Sequence, residues 1–205
     1  MPKLIVSIHS TANNIVTGSP AGDETDFMQW AQPGIDDSLD TFLTYLDNVD
    51  TIVLGRGTYQ DLVRKWPTVK DWPDVPEVAL RIGERVNSAK KFVVTDTLSS
   101  DSLEWGEYES PTSIAGADLI AQVAELKHAP GGDIVTFGSP VLVQSLTNAR
   151  LVDEYQILVH PVIVSVGRRL FENLEGRTDL RLIDVDRFSG GAMMIRYAVT
   201  SSTEV

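Results

Sequence analysis

The chain contains no cysteine. That excludes disulfides, a thiolate nucleophile, and any zinc or iron–sulfur site held by thiolates. Histidine is scarce too, at three residues. His9, His128 and His160 are far apart in sequence, and no two share a helix at metal-ligand spacing. No metal is expected. There is no G-x-S-x-G elbow, no P-loop and no G-x-G-x-x-G fingerprint. No repeat of fixed period or low-complexity tract occurs. Long hydrophobic runs are missing, and the apolar N-terminal stretch is broken by His9 and Asn13. It is too short and too polar for a membrane span or a signal peptide. A cytoplasmic protein with no membrane partner is expected. Positive charge is in deficit as well, with 17 bases against 29 acids and a formal net charge of −12. Such a field repels polyanions, so nucleic acid is not an expected partner, whereas one small anion in a local pocket remains compatible.

What is present is an ordinary apolar fraction of 42% over 205 residues. That suffices for one domain with a substantial core, and no linker divides residues 1–205. The segment "KLIVSIH" (3–9) reads as a strand, and the polar stretch 10–26 as a long loop. Leu39, Phe42, Leu43 and Leu46 recur at helical spacing, with Asp36, Asp37 or Ser38 as candidate caps. "DTIVLGRGTYQDL" (50–62) runs from a buried strand through a tight turn into a helix. Residues 65–77, rich in proline and tryptophan, read as irregular. Helices are expected over 75–87, 117–129 and 139–151, and strands at 90–98, ending in polar residues, and 133–138. A possible edge strand falls in the loop 99–110. The last third offers three strands, at 153–164, 180–188 and 192–200, with no long helix between them. Alternating β and α elements followed by β alone predict a mainly parallel sheet with antiparallel strands added at one edge.

Three strand-to-helix junctions stand out: "LGRGTY" (54–59), "VTDT" (94–97) and "FGSPV" (137–141). In open α/β sheets ligands bind beyond the carboxyl ends of the strands, where such junctions lie. Gly138 lets a ligand approach the backbone, and Ser139 is a candidate cap for a helix whose opening amides favour a phosphate. Arg56 and Thr58 offer a guanidinium fork and a hydroxyl. A plain glycine corner with a serine cap has the same sequence, as does a surface arginine paired with an acid. The acids at 23, 24, 26, 36, 37 and 40 form a run from which one carboxylate could donate a proton. Trp30, Trp66 and Trp72 are candidates for a flat-ring pocket, although packing would explain each one singly.

Together, "VDTIVLGRGTYQDLVRKWP", "KKFVVTDTL" and "GGDIVTFGSPVLVQSLTNARLVDEYQILVHPVIVSVGRRLF" resemble the dihydrofolate-reductase-like family. The branch they resemble is the C-terminal reductase domain of bifunctional riboflavin biosynthesis proteins. The stretch 153–171 is the most specific, and the likeness extends over about residues 3–197. The resemblance implies a three-layer α/β fold: a central mixed, mostly parallel sheet of about eight strands, helices on both faces, and an antiparallel C-terminal edge. It implies a homodimeric reductase that transfers hydride from NADPH to a small C=O or C=N substrate. By the same resemblance Arg56, Gly57 and Thr58 contact cofactor phosphates. Thr95 and Asp96 meet the adenosine ribose, and Gly138, Ser139, Pro140 and Val141 cradle the pyrophosphate. Ala12 and Ile15, in the loop after the first strand, flank the nicotinamide. Asp40 lies one position from the family's catalytic carboxylate and is the candidate proton donor. Asp96 stands where a group suited to a 2′-phosphate is usual, which makes NADH the alternative cofactor. A non-catalytic nucleotide- or flavin-binding homodimer of the same fold is the rival reading.

Overall fold

The computed structural model describes residues 1–17 and 27–200; of Phe27 and Met28 it describes the backbone alone. Asp23, Glu24 and Asp26, three of the acids considered above, lie outside the described residues. One eight-stranded sheet organises the rest, in the order β4-β3-β2-β5-β1-β6-β8-β7. Its strands are β1 (Leu4–Thr11), β2 (Val49–Gly55), β3 (Lys90–Val94), β4 (Thr112–Ile114), β5 (Asp133–Thr136), β6 (Glu154–His160), β7 (Asp179–Arg187) and β8 (Met193–Thr200). All neighbours from β4 to β6 pair in parallel. β8 runs antiparallel to both β6 and β7. This is the mixed sheet with an antiparallel edge that the element order predicts.

The central strands alternate their side chains between two cores, as the period-2 geometry of a strand requires. Leu4, Val6 and Ile8 of β1 join Val53, Ile134 and Tyr155 beneath α4 (Leu119–His128) and α5 (Pro140–Asn148). Ile5, Ile52, Leu54, Val93 and Val135 face the opposite way. They meet Leu43 of α1 (Phe27–Tyr45), Tyr59 of α2 (Arg56–Leu62), and Ile82 and Val86 of α3 (Glu77–Ser88). Strands covered on both faces need near-continuous apolar runs, which is why "TIVLG" reads as it does. β7 is exposed along most of its length. No helix among the described residues is long and apolar enough to cross a membrane.

Three local expectations are corrected. α1 begins at Phe27, not near Asp36, and runs through Pro33 and Gly34. Asp36, Asp37 and Ser38 therefore lie inside the helix. Asp37 accepts hydrogen bonds from Ser189 and Gly190 in the β7–β8 hairpin, and Ser38 Oγ donates to the carbonyl of Ile35. The helix tolerates Gly34 because a Cβ there would come within 2.6 Å of His160 Nδ1, so only glycine allows this approach. The edge strand falls at Thr112–Ile114, after the loop rather than within it. Residues 65–77 contain a short 3-10 helix, Trp66–Asp71.

A charged pair ties β6 to β8. Glu154 is 3% exposed, and its Oε1 accepts from Arg196 Nε at 3.0 Å and Nη2 at 2.8 Å, and from Gln156 Nε2 at 3.1 Å. The guanidinium also lies 4.7 Å from the centre of the Tyr45 ring, whose hydroxyl donates to Asp186. Removing one partner strands a buried charge, whereas replacing both with apolar groups does not. Arg196→Met is therefore expected to destabilise the fold by about 3 kcal/mol in urea unfolding, and Arg196→Met with Glu154→Leu to recover most of that loss.

Candidate functional site

Strand order brings the three junctions to one edge of the sheet. β2 ends at Gly55 and its neighbour β5 at Thr136, so the turns that follow lie side by side. The Gly55 amide donates to the Gly138 carbonyl at 3.0 Å. A Cβ on Gly55 would sit 2.7 Å from Ser139 Oγ and 3.0 Å from its backbone nitrogen, so glycine is required. Gly138 has φ = 108°, a conformation closed to ordinary side chains, and the Gly138–Ser139 peptide is cis. Thr58 Oγ1 lies 3.5 Å from where a Gly138 Cβ would be. Arg56 is exposed and its Nη1 donates to Thr97 Oγ1 at 3.1 Å, which joins the third junction to the other two. Gly57 is exposed and faces open space.

Within the third junction, Thr95 Oγ1 accepts from the amides of Thr97 and Leu98, so its hydroxyl shapes the turn. Asp96 Oδ1 accepts from the Gly116 amide at 2.7 Å and leaves a carboxylate at the surface. On the glycine turn, Ser139 takes the N-cap position of α5 without a side-chain capping bond, contrary to the capping expectation. Its carbonyl accepts the Val143 amide at 3.0 Å, and Pro140 opens the helix. The amides of Val141 and Leu142 precede that first intrahelical bond and so have no partner within the helix. Pro140 is buried and Val141 half exposed.

The loop after β1 pairs with the stretch after β6. Ala12 is exposed, and its amide donates to Val162 O at 2.9 Å. Ile15 is buried and bridges to Arg169. Asn13 exchanges two hydrogen bonds with the Val164 backbone, and Val16 donates to Arg168 O. β1 is the strand next to β5, so this loop leaves the sheet beside the glycine turn.

Asp40 is not brought to this edge. It is exposed and lines a shallow groove of about 350 Å³ with Thr41, Thr44, Tyr45, Asp184 and Asp186. Leu39, Phe42 and Leu43 occupy the inward stripe of α1, and the next residue after Leu39 is turned about 100° from it. Trp66 and Trp72 stack with centroids 6.5 Å apart, while Trp30 meets His160 edge-on at 5.2 Å.

The histidines hold the surprise. His9 and His160 are 151 residues apart, yet β1 and β6 are neighbours and put both rings on the α1 face. His9 Nδ1 and His160 Nε2 are 3.1 Å apart, with the rings stacked. Burial holds His160 down to about 4, against an ordinary 6.5. Burial, then His160, then the charge of Lys65 hold His9 at about 3. Both rings are neutral at pH 7. No spacing rule finds such a pair. Pairing β1 with β6 and counting residue parity would have.

Comparison with known proteins bears on what this edge is for. Residues 20–194 match the family model of the RibD C-terminal domain. The chain belongs to that family. Among its relatives, uncharacterized protein YyaP of Bacillus subtilis is 28% identical over 156 residues, 76% of this chain and 77% of that protein. A Shewanella sp. PV-4 protein provisionally named for riboflavin biosynthesis superposes with a TM-score of 0.67 at 19% identity, covering 97% of this chain and 99% of that one. The Thermotoga maritima diaminohydroxyphosphoribosylaminopyrimidine deaminase/5-amino-6-(5-phosphoribosylamino)uracil reductase gives 0.61 at 14%, covering 97% of this chain and 57% of that one. Enterococcus faecalis dihydrofolate reductase, solved with NADP(H) and RAB-propyl, gives 0.55 at 12%, covering 97% of each. The fold is thus the dihydrofolate-reductase-like one expected.

The histidine pair generates a pH prediction. Each imidazole titrates lower in the folded protein than in the unfolded chain, so below about pH 6.5 the unfolded chain binds protons that the folded one does not. Their contribution is complete above that pH and is lost as pH falls toward 4. In His160→Gln, the difference in unfolding free energy between about pH 7 and about pH 4.5 should shrink relative to wild type. Denaturant titrations at the two pH values measure it.

Proposed function

We propose that the chain is a reductase that takes a reduced nicotinamide dinucleotide and reduces a C=O or C=N bond of a small molecule. The observation that carries the reading is the meeting of three junctions at one sheet edge, bridged by the Arg56–Thr97 hydrogen bond. Membership of the RibD C-terminal domain family supports it. So do a uracil reductase and a dihydrofolate reductase among proteins of the same fold.

The residues fit the group. Arg56 and Thr58, with the bare backbone of Gly57, would hold phosphate oxygens beside the open amides of Val141 and Leu142. Gly138, Ser139 and Pro140 set the wall against which a pyrophosphate rests. Thr95 and Asp96 lie where the adenosine ribose would reach. Ala12 and Ile15 border the nicotinamide side. The reduced nicotinamide, when bound, supplies the hydride. The protein's part is to orient it, exclude water and provide a proton. NADPH is the expected cofactor by resemblance. Asp96 favours NADH, because a surface carboxylate accepts a ribose hydroxyl and repels a 2′-phosphate. The position of Asp40, turned from the edge, favours the rival reading of a non-catalytic nucleotide- or flavin-binding module.

A homodimer is part of the proposal. β7 is an unpaired edge, and Leu180, Leu182, Ile183 and Val185 are all more than a third exposed. Its ends carry opposite charges, Asp179 and Arg187. Antiparallel pairing with a second copy about a two-fold axis sets each against the other. Leu182→Lys should convert the dimer to a monomer in light scattering behind size exclusion. A wild type that is already monomeric at micromolar concentration would remove this part of the proposal.

Thermal shift with NADPH and NADH tests the cofactor. At a hundred times its dissociation constant, a ligand specific for the native state adds about 2.7 kcal/mol. Arg56→Ala should lose most of that gain. Preference for NADH assigns the choice to Asp96. No shift with either nucleotide overturns the reductase reading. Binding without turnover across carbonyl and imine substrates favours the module.

A further inference from the structure

Behind the turn that carries Arg56 lies a buried polar brace that the proposed chemistry does not use. Lys91 of β3 is 4% exposed, and no carboxylate pairs with it among the described residues. Its Nζ donates to the carbonyls of Asn87 at 2.8 Å and Ala89 at 2.6 Å, at the C-terminal end of α3. The same ammonium lies 4.9 Å from the centre of the Trp105 ring. Trp105 is buried, and its Nε1 donates to Asn87 Oδ1 at 2.8 Å, while Asn87 Nδ2 donates to the Trp66 carbonyl at 3.0 Å. The Trp105 ring meets the ring of Tyr59, with centroids 6.3 Å apart. The Tyr59 hydroxyl donates to the carbonyl of Glu104 at 3.2 Å and accepts from its amide at 3.1 Å. Tyr59 stands three residues after Arg56 on α2 and next to Thr58, so the brace ends at the residues that would meet a phosphate.

We propose that Lys91 is a positioning residue for the nucleotide edge: its ammonium, acting through Trp105 and Tyr59, holds the turn that carries Arg56, and loss of its proton slackens that turn and weakens nucleotide binding. The inference rests on the reductase reading for calling the ligand a nucleotide. Packing alone does not account for the charge, because a buried ammonium without a carboxylate partner costs the fold stability. Burial pulls the Lys91 ammonium down to about 8, against an ordinary 10.5, and the charge of Glu109 opposes that only in part. The other charged groups on the surrounding segments are engaged elsewhere. Arg85 pairs with Asp47, Lys70 with Glu107, and Lys65 lies against Trp66 and Trp72. Glu104 meets Tyr59 through its backbone. What the charge adds is orientation. A neutral amine keeps two N–H groups for the two carbonyls, so those bonds survive deprotonation. The attraction to the indole face does not, and the Trp105 ring is what Tyr59 packs against. Above about pH 8 the folded chain gives up a proton that the unfolded chain keeps, so its global stability rises with pH. Nucleotide affinity moves the other way, an opposition that a purely structural lysine does not produce.

The test is isothermal titration of NADPH and NADH between about pH 7 and about pH 9.5, on wild type, Lys91→Met and Lys91→Arg. Wild-type affinity should fall about fivefold across that range, the size of one cation–π contact, and binding above about pH 8 should take up protons. Lys91→Met should bind at the weaker level throughout and take up none. Lys91→Arg, charged throughout, should bind at the stronger level. In urea unfolding, wild type should gain stability over the same range relative to Lys91→Met. The methyl resonances of Thr58 and Thr97 in the ligand-free protein supply an arm that needs no nucleotide. They should shift as Lys91 titrates in wild type and stay still in Lys91→Met. Should neither variant fold, the wild-type profile and its proton uptake decide alone. A flat wild-type affinity without proton uptake overturns the proposal and leaves the reductase reading standing, as does a profile that Lys91→Met shares. If the resonances follow Lys91 and neither nucleotide binds, the hold on the turn stands and the reductase reading falls.

Discussion

Gly55 and Gly138 touch through their backbones: the amide of one donates to the carbonyl of the other at 3.0 Å, and a Cβ on Gly55 would collide with Ser139. That contact depends on strand order. β2 and β5 are distant in sequence but adjacent and parallel in the sheet, so both chains leave at the same edge and must turn at once. Two turns with side chains would splay apart. Two glycine turns close, and Arg56 is then held where its guanidinium reaches Thr97 after β3. The crevice is therefore a consequence of parallel pairing plus two missing side chains. A single strand exchange in the sheet would scatter its parts.

The two faces of that sheet differ in kind. Under α4 and α5 it is mostly apolar, with Thr147 and the Tyr155 hydroxyl hydrogen-bonded to each other inside that core. Under α1 the register aligns Ser7 with Gln156 and Thr11 with His160, beside Glu154 and His9. Burying such groups costs several kcal/mol each unless they are hydrogen-bonded, and here they are bonded to one another, as in Glu154 with Gln156 and Arg196. The helix above is fitted to this polar floor by two special contacts, Gly34 against His160 and Tyr45 against Arg196. A greasy interface would let α1 slide. A polar one fixes its register, at the end where His9 reaches the surface.

The sequence exposes much of this, and its omissions have physical causes. Strand-rich "TIVLG" and "DIVTFG", the helical spacing from Leu39 to Leu46, and the change of texture after residue 152 are local signals, and local signals set elements. The start of α1 was not legible, because Pro33 and Gly34 read as breakers. Gly34 is there for a partner 126 positions away, a reason no window of residues contains. The same is true of His9 and His160. Each has an ordinary strand around it, and only the sheet order makes them a pair. Asp40 is the reverse case, since a count from Arg56 brings it near a functional position while it stands exposed, one step off the inward stripe of the helix.

Charge closes the argument. A chain at −12 repels polyanions at long range, yet its crevice edge holds Arg56 and its α1 face holds Lys65. At physiological ionic strength the Debye length is about 8 Å, so most of the surface acids are screened from a ligand already at the edge. The charges that remain are the nearest ones: Arg56, bonded to Thr97 next to the Asp96 carboxylate, and Lys65, which feels the charge of Asp36. Each cation, with an acid near it, leaves room for one modest negative charge and penalises a second. A ligand at the edge is therefore chosen less by total charge than by whether its negative oxygen lands on the cation or on the acid.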